Sequence, residues 1–160
     1  MDVVKEPSGP PTLADLALLL ERGPSLLAVT RSAAMRPAIV RCCAARVVGE
    51  AVEFSVPLPE GRLAIENLDA TGVVSLTAAR PTTYQTIQAK GTNARRVVWP
   101  EQSDVAVAHR GRFRAETTML GIEGPPNGFW SMTDVVVFSF VVHELFDQTP
   151  GFRSGLLALR

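Results

Sequence analysis

The residues best spaced for chemistry lie in Thr82-Thr83-Tyr84-Gln85-Thr86-Ile87-Gln88-Ala89-Lys90-Gly91. On an extended chain Thr86, Gln88 and Lys90 share one face, and Ile87 and Ala89 share the other. Hydroxyl, amide and ammonium groups at two-residue spacing suit the polar edge of a planar heterocycle and a phosphate. A solvent-facing row would look the same in sequence. Arginine is the second feature, with fourteen arginines against two lysines, Lys5 and Lys90. Arg is the preferred bidentate partner of phosphate and carboxylate. Arg41 stands in an otherwise apolar run (Ile39, Val40, Cys42, Cys43), where a charge needs a partner or a ligand. Arg62 opens a predicted helix, whose first N–H groups favour an anion. Both arginines also read as ordinary surface residues.

Other signatures are missing. The two histidines, His109 and His143, and the adjacent Cys42 and Cys43 have no metal-ligand spacing. Neither a Gly-rich phosphate loop nor a nucleophile elbow occurs. No catalytic residue is therefore assigned, and no metal is expected. His143 reads as a base or, more simply, as a structural residue on the last long strand. Sixteen basic residues balance sixteen acidic ones, which argues against a nucleic-acid partner. The longest apolar run, Val135 to Val142, is broken by Ser139 and is too short to span a bilayer. Neighbouring cysteines on a strand point to opposite faces, so a disulfide between them is not expected. With no apolar leader in Met1 to Pro11, the expectation is a cytoplasmic protein with buried thiols.

The elements that must position these groups are legible in outline. A flexible tail is expected over 1–11, a domain over 12–147 and a second tail over 148–160. Thr12 and Asp15 form a variant capping box for a helix over 12–22, stopped by Gly23-Pro24. Strands are predicted at 25–31, 37–48, 52–56, 73–79 and 83–98, the last bent at Gly91. Helices are predicted at 60–71, ending at Gly72, and over 101–120. A Gly/Pro loop spans 121–128, and 135–145 is the last strong strand. Strands dominate and the helices do not alternate with them. That favours a mainly β antiparallel barrel or sandwich with peripheral helices. Val135 to Val142 is apolar on both faces, so its outer face must meet either the 101–120 helix or a second subunit.

The order of elements resembles the pyridoxamine 5′-phosphate oxidase-like family of FMN-binding split barrels. The resemblance rests on Asn67-Leu68-x-Ala70-Thr71-Gly72 followed by Val73-Val74-Ser75-Leu76-Thr77, then Pro81-Thr82-Thr83 and Gln88-x-Lys90-Gly91. Phe146 to Gly151 is also similar to the end of some bacterial members, and the match spans about residues 12–151. The resemblance implies a six-stranded antiparallel split β-barrel, a homodimer and FMN at the subunit interface. It implies that Ser55 lies near the flavin, Arg62 near the phosphate, and Thr86 and Gln88 beside the ring. The expected function is an FMN-dependent oxidoreductase acting on an unknown small molecule. The alternatives are a non-enzymatic module for haem or a deazaflavin, or a degenerate barrel with an inactive site.

Overall fold

The computed structural model describes residues 9–123, 134–151 and 155–159. Most of the expected N-terminal tail, residues 1–8, and the Gly/Pro loop from 124 onward lie outside them. Helix α1 (Leu13–Leu20) begins at Thr12, whose Oγ1 accepts from the Asp15 N–H at 3.2 Å while Asp15 Oδ2 accepts from the Thr12 N–H at 2.8 Å. This reciprocal pair satisfies two N–H groups that the helix itself cannot. Leu13, Leu16, Leu19 and Leu20 form its buried stripe.

Strands β1 (Ser25–Arg31), β2 (Pro37–Arg41), β3 (Ala44–Val48) and β4 (Ala51–Pro57) follow. Helix α2 (Leu58–Thr71) ends at Gly72, which takes the left-handed conformation (φ 65°) that ends helices most cheaply at glycine. Then come β5 (Val74–Ala79), β6 (Thr86–Gly91), β7 (Arg95–Val97), α3 (Gln102–Met119), β8 (Val135–Val141), β9 (Glu144–Asp147) and β10 (Leu156–Leu159). One antiparallel sheet has the order β10-β9-β6-β5-β1-β2 and the other β3-β4-β8-β7. The fold is thus mainly β and antiparallel, divided over two sheets as a split barrel. Part of the stretch expected as a C-terminal tail joins the larger sheet as β10, through pairing with β9.

Three stretches expected as single strands each divide between the sheets. In 37–48 the break is at the cysteines: the Cys42 N–H donates to Leu26 O in the larger sheet, and the Cys43 N–H to Ser55 O in the smaller. In 83–98 it follows Gly91. A Cβ there would lie 2.5 Å from the Phe140 ring and 2.6 Å from the Val141 carbonyl oxygen, so the corner needs glycine. In 135–145 it falls at Val142 and His143. Strands that change sheets at bends are how two crossed layers join at their corners.

The main core fills the space between the inner faces, where Phe54, Phe138 and Phe140 meet Leu26, Leu76 and Leu145. Leucines of α1 and Ala64, Ile65 and Leu68 of α2 enter the same cluster. The outer face of β8 is covered from within the chain, since Val137 is buried with Ala44 and Trp99, and Val105 of α3 packs on them. Val141, further along the same face, stays 41% exposed. Both thiols are unbridged and buried. Burial, helped by the neighbouring Cys43, pushes the Cys42 thiol far up. Burial and then the Glu60 carboxylate push Cys43 up to about 12. Neither is a reactive thiolate at neutral pH. No helix among the described residues is long and apolar enough to cross a membrane.

Helix α3 docks through His109, which is 2% exposed and holds Nε2 at 3.0 Å from Pro24 O. The carbonyl can only accept, so Nε2 carries the proton. Nδ1 is buried without a partner. Burial and the nearby Arg112 push the imidazole down, the Pro24 bond pulls it up, and the result is a pKa of about 4 against an ordinary 6.5. Between those values the unfolded chain binds a proton that the folded chain refuses. Stability from this group is therefore full above pH 6.5 and falls as pH drops towards 4, by about 3 kcal/mol in all. Thermal melts of wild type and His109→Gln from pH 7.5 to 4 are expected to show a smaller acid loss in the variant. Equal acid loss in both proteins would refute this account of His109.

Candidate functional site

Alternation and pairing register bring most of the sequence-singled residues onto the outer face of the six-stranded sheet. Arg41, Leu27, Thr77, Gln88 and Phe146 are consecutive cross-strand partners in one row. Ile39, Val29, Ser75, Lys90 and Glu144 form the next. Ser25, Ala79 and Thr86 form a third. Five strands at the usual spacing make each long row roughly 19 Å across. The face is amphipathic, with Leu27 37% and Ile39 68% exposed beside the polar groups.

The polar groups are held in place. Gln88 Nε2 donates to Thr77 Oγ1 at 3.2 Å, and Arg41 Nη1 donates to Ser25 Oγ at 2.8 Å. Thr86 Oγ1 donates to Tyr84 O at 2.8 Å, and its N–H donates to Thr149 Oγ1 at 3.0 Å. Lys90 Nζ sits 4.3 Å from the Phe146 ring centroid, a cation–π contact that keeps the amine over the face. Tyr84 borders the Thr86 end of the face, 68% exposed and with a left-handed φ of 59°. Glu116 of α3 anchors its turn through Arg80, at 2.8 Å, and through Thr82. Burial raises the energy of the Glu116 carboxylate, yet Arg80 and Thr82 outweigh it and hold the group below the usual carboxylate range.

Two sequence-singled residues lie elsewhere. Ser55 is on the four-stranded sheet, fully buried, with its hydroxyl donating to Ala44 O at 3.4 Å. Arg62 is on the first turns of α2, where its side chain is 83% exposed and pairs with Glu66 at 3.0 Å. That exposed helix pair contributes only about 0.3–0.5 kcal/mol, so Arg62 is readily redirected. Sequence reasoning missed Thr77 and Ser75 as partners of Gln88 and Lys90. Their own two-residue alternation on β5 was a signal, but it carries no register.

At the Lys90 end the face deepens into a cleft of about 550 Å³. Val29, Arg31, Met35, Ser75, Lys90 and His143 are among its lining residues. Of the two histidines, His143 lines this cleft, whereas His109, on α3, is buried.

Among solved structures the chain is similar to HupZ of Group A Streptococcus, at 15% identity over 89% of this chain and 98% of that one, with a TM-score of 0.54. It is similar to an F420 reductase at 16% identity over 80% and 93%, with a TM-score of 0.53. It is also similar to a pyridoxamine 5′-phosphate oxidase-related, FMN-binding protein of Nostoc punctiforme, at 13% identity over 88% and 85%, with a TM-score of 0.50. At such identities the likeness defines the fold, which is the split barrel of the pyridoxamine 5′-phosphate oxidase-like type. No family model and no curated protein matches the sequence.

Proposed function

We propose that the outer face of the six-stranded sheet binds a flavin-type cofactor, FMN in the first instance, between two copies of the chain, and that the protein is an oxidoreductase. The observation that carries this reading is the arrival of Arg41, Thr86, Gln88 and Lys90 on one amphipathic face. The donor set fits the group: amide and hydroxyl partners for a heterocycle edge, a guanidinium for phosphate, and exposed apolar area for a flat ring. When bound, a flavin supplies hydride or electron transfer, and the protein supplies binding and orientation. In this chain Gln88, braced by Thr77, orients the ring edge. Arg41, braced by Ser25, holds the phosphate. Leu27 and Ile39 exclude water once a second copy covers the face. The FMN-binding and F420 reductase structures that share this fold support a flavin or deazaflavin.

The test is a fluorescence titration with FMN and with F420, with light scattering for the assembly. The expected result is flavin quenching in the micromolar range by a dimer. Arg41→Met and Gln88→Leu should each weaken binding about tenfold, as loss of one charge-assisted or well-held hydrogen bond does. A monomer that quenches neither cofactor sinks the reading. Haemin binding with a Soret shift that His143→Ala abolishes would transfer the site to haem.

A further inference from the structure

The cleft at the Lys90 end carries features that a flavin platform does not require. Arg31 and Lys90 line it, and neither enters an ion pair among the described residues. Lys90 lies opposite Glu144 in the ladder, yet its amine sits over Phe146 instead. Ser75 Oγ, on the cleft lining, is buried without a hydrogen-bond partner. A buried polar atom left unpaired costs free energy, and such exceptions ask for a partner from outside. At the rim Met35 has a left-handed φ of 61° and is 68% exposed. Non-glycine residues held in that region cluster at ligand clamps and active sites. The remaining walls include the apolar Val29 and Val73.

We propose that this cleft binds a small amphipathic organic acid. Its carboxylate lies between Lys90 and Arg31, the Ser75 hydroxyl donates to one carboxylate oxygen, and its apolar body packs on Val29, Val73 and Met35. Two cations against the single Glu144 carboxylate select an anion over an amine. The apolar walls select an organic tail over a bare inorganic anion. The ligand class stands on these residues alone. Its use as the substrate pocket beside the cofactor rests on the flavin reading above.

Octanoate, octanol, octylamine and inorganic phosphate are titrated calorimetrically into the full chain without flavin. Octanoate is expected to bind at least tenfold more tightly than the other three. Lys90→Met and Arg31→Gln should each weaken it tenfold or more, and Ser75→Ala several-fold, with thermal midpoints confirming that the variants fold. Equal binding of octanol and octanoate overturns the proposal. So does an octanoate affinity that neither Lys90→Met nor Arg31→Gln changes, or a cleft that takes haemin through His143 but not octanoate. Failure of FMN in the separate titration removes the flavin reading and leaves this result standing.

Discussion

Phe54→Ala is expected to lower the stability of the folded chain by about 3–5 kcal/mol, read as a lower urea midpoint at an unchanged slope. Phe54 is fully buried on β4 at the centre of the main core. Its ring lies 6.1 Å from Phe138 in a stacked pair and 5.8 Å from Phe140 in an edge-to-face pair. Truncation removes the transfer free energy of the ring, leaves a cavity between two sheets that cannot collapse freely, and forfeits both aromatic contacts. A domain stable by about 5–15 kcal/mol has little margin for that loss. Phe54→Leu keeps most of the volume and should cost much less. A shift for Phe54→Ala below about 1 kcal/mol would mean that the space between the sheets is not the main core.

Gly23→Ala is expected to cost about 2–5 kcal/mol, from a left-handed backbone and from overpacking together. Gly23 has φ +71°, and a Cβ there would lie 2.5 Å from the Phe113 backbone nitrogen and 2.6 Å from Arg112 Cβ. The obstacle is largely the backbone of α3, so no rotamer change relieves it. The α1–β1 turn and α3 must move apart, and the His109 bond to Pro24 goes with them. Hydrogen exchange should show the loss of protection concentrated in α3 and the 21–24 turn. Undiminished protection in α3 would show that the helix does not rest on this turn.

How far the fold was legible depends on how local its determinants are. The capping box at Thr12 and Asp15, the stop at Gly72 and the strand at 25–31 each depend on a few neighbouring residues, and each stands where expected. The three long strands did not survive as such because an apolar run reads the same on either side of a corner. What marks the corner is which chain the backbone bonds to: Cys42 to Leu26 and Cys43 to Ser55, one residue apart and in different sheets. The bend at Gly91 was visible because a missing side chain is itself a local signal.

By itself the sequence determined the mainly β class, the presence of the three helices with the cap at Thr12 and the stop at Gly72, and the polar row Thr86, Gln88 and Lys90, because capping and side-chain alternation act over a few residues and need no knowledge of distant partners. Only the tertiary structure decided that Arg41 joins that row across Leu27 and Thr77, that Ser55 is sealed inside, and that Trp99, together with Val105 of α3, packs over Val137 of β8. Those outcomes depend on register and on which sheet each half-strand enters. Both are set by packing between residues far apart in the chain, and the local pattern does not encode them.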